Sequence, residues 1–176
     1  ADGEYDNHYA LIRPIDFDPA KKYPVIVYVY GGPHTQLISN TFLGGTSRWE
    51  MYMAQRGYVV FVMDNRGTPY HGAAYEKETH RQLGQAEMAD QVKGIEWLTS
   101  HPWVDAERIG VHGWSYGGFM TISLMTNYPD IYKVGVAGGP VIDWKWYEVM
   151  YGERYMENPE INPEGFEKTS LINKAA

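Results

Sequence analysis

Apolar positions along the chain switch between two rhythms: short continuous runs of β-branched and aromatic residues, and longer stretches in which apolar residues recur every three or four positions. The first run, Tyr9 to Pro14, is brief and is followed by the polar turn Asp16 to Lys22, which predicts an edge strand and a loop. Pro24 to Tyr30 is uninterrupted, too short for a helix, and stops at Gly31-Gly32-Pro33. Such a run suits a strand covered on both faces. His34 to Thr46 reads as a surface loop, and Trp49 to Arg56 as a helix with Trp49, Tyr52 and Met53 on one side, ended by Gly57. Tyr58 to Met63 is a second buried strand, and Arg66 to Gly72 a loop. From Gln85 to Ser100 the apolar Met88, Val92, Ile95 and Leu98 predict an amphipathic helix, with Glu87, Asp90, Lys93 and Glu96 elsewhere on its surface.

The remainder repeats the alternation. His101-Pro102 ends that helix, Arg108 to His112 is a strand, and the helix after Ser115 runs to about Asn127. Val134 to Ala137 is a further strand closed by Gly138-Gly139-Pro140. Asp143 to Arg154 is expected to be helical, and Glu157 to Glu167 an exposed loop. Strand, helix, strand, helix, strand predicts an α/β fold around a largely parallel sheet, with ligands at the carboxyl ends of the strands.

Composition narrows the picture. With 176 residues, 44% of them hydrophobic, the chain is large enough for one domain with a real core. A formal net charge of -7 argues against a nucleic-acid groove or an anionic membrane surface, since both require clustered Lys and Arg. Without cysteine there is no disulfide framework, thiolate nucleophile or Cys-based zinc site. No His-Glu-x-x-His or other metal spacing occurs, so neither a metal nor a cofactor is expected. No apolar run approaches the length of a membrane span, and the acidic start Ala1-Asp2-Gly3-Glu4 is unlike a basic signal-peptide n-region.

The chemistry concentrates at Gly113-Trp114-Ser115-Tyr116-Gly117-Gly118, between a strand and a helix. Gly-x-Ser-x-Gly in that setting is a nucleophile elbow: the strand reverses into a helix within a few residues and holds the serine in a strained, exposed conformation. A serine attacks a carbonyl only when a base takes its proton and donors stabilise the oxyanion. Tyr116, directly after the nucleophile, offers one donor through its backbone N–H. A second donor belongs on the loop after an adjacent strand, which makes Tyr30-Gly31-Gly32 the candidate, although those glycines read equally as a tight turn. All six histidines precede Ser115, whereas this architecture orders serine, acid, histidine. His112 reads as a packed or hydrogen-bonded strand residue, and none of the six is assigned as base. Trp144, Tyr147 and Tyr151 fall at i, i+3 and i+7 and read as a core stripe or, less simply, as a half-wet pocket wall.

These stretches, taken with Val29-Tyr30-Gly31-Gly32-Pro33, Asp64-Asn65-Arg66-Gly67 and Tyr151-Gly152-Glu153-Arg154-Tyr155-Met156, resemble the catalytic domain of prolyl oligopeptidase family serine peptidases. The dipeptidyl peptidase IV branch is the most similar, from about Tyr23 to Asn173. The resemblance implies an α/β-hydrolase-type three-layer sandwich, here a partial catalytic domain over residues 1–176 that is C-terminally incomplete. It implies Ser115 as nucleophile, with the Tyr30 hydroxyl and Tyr116 N–H as oxyanion donors. Val141, Trp144, Tyr147 and Tyr151, with the Tyr116 ring, would line an S1 pocket, turning the stripe from core to pocket wall, and Arg154 would support it. The implied partner is a peptide with Pro or Ala at P1, cleaved to release X-Pro or X-Ala dipeptides. The parent is expected to carry an N-terminal β-propeller, with room for a homodimer, in a periplasmic, cell-surface or secreted setting. In the family the triad acid and histidine lie C-terminal to the stretch that residues 1–176 resemble. Asp130 and Asp143 do not match the acid's position, and the chain alone is expected to be nearly inactive. Acylaminoacyl peptidases, oligopeptidases or esterases of the same fold, or a non-catalytic binding relative, are the alternatives.

Overall fold

The computed structural model describes residues 3–174; Ala1-Asp2 of the acidic start and the last two residues lie outside them. Five strands form one sheet in the order β1-β3-β2-β4-β5: β1 (Tyr9–Ile12), β2 (Tyr23–Tyr28), β3 (Val59–Met63), β4 (Val104–Trp114) and β5 (Val134–Gly138). β1 runs antiparallel to β3, as an edge strand can, and the other pairings are parallel. Parallel neighbours cannot be joined by tight hairpins, so helices make the connections. α1 (Arg48–Gln55) lies between β2 and β3, α2 (Ala73–Lys77) and α3 (Gln85–Thr99) between β3 and β4, and α4 (Tyr116–Asn127) between β4 and β5; α5 (Val149–Met156) and α6 (Pro163–Thr169) follow β5.

Side chains alternate across a strand, so each strand serves two layers. Val25, Val27 and Val29 of the β2 stretch join Phe61, Met63, Ile109 and Val111 in a core closed by Leu83, Ile95 and Leu98 on the α3 side and by Phe119, Met120 and Leu124 of α4. The opposite face carries α1, whose Trp49 ring packs near Tyr28 and His112. Helix, sheet and helix thus form three layers, the third holding α1. α1 begins with a capping box in which Ser47 and Glu50 satisfy each other's backbone N–H groups.

Two expectations change in detail. The segment Asp143 to Arg154 is not one helix: Asp143 caps a single 3-10 turn at Trp144–Trp146, Tyr147 is extended, and Glu148 caps the start of α5. A side-chain oxygen that accepts a backbone N–H of the first turn starts a helix, and Asp143 and Glu148 each do so, five residues apart, so the chain restarts. The expected loop from Glu157 to Glu167 contains the start of α6, with Asn162 as N-cap, Pro163 at its first position and Phe166 buried in the core. Asn-Pro here is a helix start, because proline's missing N–H costs nothing in a first turn.

Candidate active site

β4 ends at Trp114 and α4 begins at Tyr116, leaving Ser115 as the only residue between them. Its φ of 59° and ψ of -113° lie in a region that side chains rarely adopt, so the turn is strained as an elbow requires. What makes the turn possible is close backbone approach. A Cβ on Gly113 would lie 2.3 Å from the Val29 carbonyl oxygen and 2.4 Å from that of Gly117, and one on Gly117 would lie 2.2 Å from the Val29 oxygen. The Ser115 N–H donates to the Gly138 carbonyl at 2.8 Å, which ties the elbow to the end of β5. Tyr116 is the first residue of α4, and the first N–H groups of a helix have no intrahelical acceptor. Its amide is therefore available to an oxyanion at the positive end of the helix.

Around this elbow the aromatic residues gather. The Tyr116 ring, 2% exposed, has its centroid 5.9 Å from that of Tyr30, 5.3 Å from Trp144 and 5.4 Å from Phe119. Trp144 stacks on Tyr151 at 5.5 Å, and Tyr147 meets both rings edge-on at 5.4 Å. The break at Tyr147 does not scatter the stripe, since the three rings pack on one another and Trp144 sets them against Tyr116. Val141, half-buried, packs against the same core beyond the end of β5. Trp144 is buried, whereas Tyr147 is exposed at 40%, so the cluster is dry on one side and open on the other. Trp144 Nε1 and the Tyr151 hydroxyl are buried without a hydrogen-bond partner. Burial, followed by neighbouring tyrosines, pushes the Tyr151 hydroxyl pKa up, so it is a neutral donor across the physiological range.

Tyr30 sits just past β2, and the two glycines that follow it are pinned from different sides. Asn65 Nδ2 donates to the Gly31 carbonyl at 2.8 Å, and Gln91 Nε2 donates to Asn65 Oδ1 at 2.9 Å. Gly32 lies against the face of the Tyr116 ring, so closely that a Cβ there would come 2.4 Å from Tyr116 Cγ. The neighbouring Asp64 accepts the N–H groups of Leu37 and Ile38, both at 2.9 Å, and holds the loop after this turn. The Asp64 to Gly67 stretch thus supports the Tyr30 turn.

Sequence reasoning missed several residues here. Glu87, Asp90 and Gln91, which the periodicity placed off the apolar face of α3 or left unassigned, are completely buried. They remain inside because each is paired: Asp90 binds the Arg66 guanidinium at 2.9 Å, Gln91 bonds Asn65, and Glu87 Oε1 accepts the Tyr116 hydroxyl at 2.5 Å. Glu87 and Gln91 do align with Gly94 and Leu98 on one face, at i, i+4, i+7 and i+11, but a face half polar in composition gives no sign of burial by itself. His34 was also missed; it meets the Tyr155 hydroxyl, with the Arg154 guanidinium 3.4 Å away. His112 bonds the Val136 carbonyl at 2.8 Å across the sheet, the strand role read for it. Among the described residues no cluster of acidic and histidine side chains could hold a metal, and no helix is long and apolar enough to cross a membrane.

A mostly parallel sheet with helices on both faces, and a strained serine between a strand and the helix that follows it, define an α/β-hydrolase-type domain. The chain belongs to the prolyl oligopeptidase family, whose profile matches residues 45–176. It is 40% identical over 166 residues to dipeptidyl peptidase 8 from both Mus musculus and Homo sapiens, covering 94% of this chain but only 19% and 18% of those proteins. The chain therefore spans about a fifth of the length of these relatives. Among solved structures, a provisionally designated dipeptidyl aminopeptidase IV from Bacteroides ovatus matches with a TM-score of 0.98 and 60% identity, over 99% of this chain and 25% of that one. Porphyromonas gingivalis dipeptidyl peptidase 4 matches with a TM-score of 0.87 and 38% identity, over 95% of this chain and 23% of that one.

Proposed function

We propose that this chain is the nucleophile-bearing part of the catalytic domain of a serine exopeptidase that releases X-Pro or X-Ala dipeptides through an acyl-enzyme on Ser115. The observation that carries the reading is the strained Ser115 set beside a half-open cluster of aromatic rings. In this reading the Tyr116 N–H and the Tyr30 hydroxyl stabilise the oxyanion. Val141, Trp144, Tyr147 and Tyr151 form a flat-walled S1 pocket that suits the ring of proline or the methyl of alanine. Small, rigid P1 groups lose little entropy on entering such a slot, and a longer side chain would have to displace a stacked ring.

In this reading the general base and its acid lie C-terminal to residues 1–176, as the family resemblance implies, and the parent carries an N-terminal propeller. The 176-residue chain is then nearly inactive, because an elbow and oxyanion hole without a base retain only residual catalysis. The test has two arms. A fluorophosphonate probe should label Ser115 in the full-length protein and not its Ser115→Ala variant. That protein should hydrolyse a fluorogenic Gly-Pro amide in preference to acetyl-amino acid amides and short esters. Preference for an acetylated substrate would make it an acylaminoacyl peptidase, and absence of labelling would make it a non-catalytic relative.

A further inference from the structure

Glu87 is the third residue of α3 and is entirely buried, yet its one side-chain partner among the described residues is the Tyr116 hydroxyl, 2.5 Å from Oε1. The other oxygen, Oε2, has no hydrogen-bond partner. Burying a carboxyl group this way is costly, and two well-packed apolar side chains would fill the same space without that cost. The arrangement therefore calls for a reason beyond packing.

The reason lies in what Tyr116 does at its other end. One residue supplies both the amide that follows the nucleophile and the ring that backs Trp144 and Tyr30. The phenol oxygen lies on the ring's long axis, so holding it fixes χ1 and the direction in which the ring leaves the backbone, while the packing partners of the ring set its plane. The ring face is already pressed against Gly32, and its flanks against Phe119 and Trp144. Those contacts hold the body of the ring, and the hydrogen bond to Glu87 holds its far end.

We propose that Glu87 is a positioning residue: by gripping the Tyr116 hydroxyl from α3, it holds the Tyr116 amide and the S1-facing ring in register with Ser115. This rests on the reading of Ser115 as nucleophile. Hydrogen bonds to a carboxylate are shorter and stronger than those to a neutral acid, so the grip depends on the charge of Glu87. Burial above all raises its pKa to about 7, against the pull of the Tyr116 hydroxyl and the backbone N–H groups at the start of α3, with Asp90 adding to the rise. The groups that face it are Tyr116 from α4, Asp90 from its own helix, itself paired with Arg66 from the loop after β3, and Tyr151 from α5. Burial likewise raises the Tyr116 and Tyr151 pKa values, so both phenols stay neutral and Glu87 is the group that changes charge near neutrality. The grip is strongest above pH 7 and relaxes below it.

The experiment uses the full-length protein with Glu87→Gln, Glu87→Leu and Tyr116→Phe, assayed on a Gly-Pro amide from pH 5.5 to 8.5. Glu87→Leu should lower kcat by about 10², the cost of misplacing a catalytic group by roughly 1 Å, with KM changed much less. Glu87→Gln keeps the acceptor and should rescue most of that loss. The ratio of wild-type kcat to Glu87→Gln kcat should rise several-fold between pH 6 and pH 8, since titration of the catalytic histidine is common to both and cancels. Should Glu87→Leu fail to fold, Tyr116→Phe removes the same bond from the other partner and should show the same kcat loss. Wild-type turnover with an unchanged kcat in Glu87→Leu or Tyr116→Phe, or a ratio independent of pH, overturns the proposal and leaves Ser115 as nucleophile. A wild-type protein that neither turns over substrate nor reacts with a fluorophosphonate overturns both.

Discussion

Gly32→Ala is the sharpest steric test of the Tyr30 turn. Gly32 does not adopt a positive φ, so the substitution brings no backbone strain and the whole effect is contact. The added Cβ would lie 2.4 Å from Tyr116 Cγ and 2.6 and 2.7 Å from the two Cδ atoms, where carbon atoms normally keep about 3.5 Å or more. Either the ring or the turn must retreat by roughly 1 Å. The ring cannot do so freely, because Phe119, Trp144 and Glu87 close its other sides. Overpacking of this kind costs about 1–3 kcal/mol in stability. A displacement of that size in the elements that carry the proposed oxyanion donors should lower kcat by about 10², equivalent to roughly 2.7 kcal/mol of transition-state stabilisation. The assay is steady-state hydrolysis of a Gly-Pro amide by the full-length variant, with Gly152→Ala as the matched control. At Gly152, in α5, a Cβ meets nothing nearer than the Trp144 carbonyl oxygen at 3.8 Å, so kcat should hold. If kcat of Gly32→Ala stays within twofold of wild type, the turn and the ring are not coupled and the reasoning fails.

Three further outcomes follow from the same geometry. Tyr30→Phe should lower kcat by about 10² or more with little change in KM, the usual effect of removing one oxyanion donor; an unchanged kcat would take the Tyr30 hydroxyl out of the hole. Asp90→Asn breaks a buried ion pair with Arg66, which typically costs about 3–5 kcal/mol, so amide hydrogen exchange along α3 should accelerate by about 10² or more. Unchanged α3 protection would show that the pair is not coupled to the helix. Glu87 carries a pH signature in stability too. Its pKa is about 7 in the folded chain against an ordinary 4.5, so the folded state holds a proton that the unfolded state gives up. Stability is then greatest below pH 4.5 and falls by about 3 kcal/mol as pH rises to 7. Denaturant midpoints for wild type and Glu87→Gln should therefore diverge across that window, and parallel curves would show that Glu87 does not titrate there.

Strands and the elbow were legible because their signals are local. Val25, Val27 and Val29 announce a buried strand by composition, and a serine between glycines after such a strand has few other uses. The stripe Trp144, Tyr147 and Tyr151 was legible as a cluster, although a continuous helix was the wrong reason for it; capping by Asp143 and Glu148 restarts the chain, and the rings still converge. What periodicity could not show was the inward polar face of α3. Hydrophobicity scales treat Glu87, Asp90 and Gln91 as surface residues, and only knowledge of their partners, between 24 and 29 residues away in sequence, makes their burial intelligible. Pairing at that separation is set by the fold and leaves no periodic trace.

That hidden face accounts for how three of the four stretches that carry the family resemblance fit together. A turn of consecutive glycines cannot hold its own shape, because glycine gains nothing from side-chain packing and loses the most backbone entropy on ordering. The Tyr30-Gly31-Gly32 turn is therefore held from outside: Gly31 through Asn65 and Gln91, Gly32 through the Tyr116 ring and Glu87. Arg66 of the same Asp64 to Gly67 stretch clamps Asp90, one turn along α3 from Glu87. Three buried polar side chains on one helix thus reach the loop after β3 and the residue after the serine, and through them the turn after β2. α3 contributes no group to the proposed chemistry, yet it sets the relative positions of both proposed oxyanion donors. Damage to its polar face should consequently appear as lost turnover before lost substrate binding.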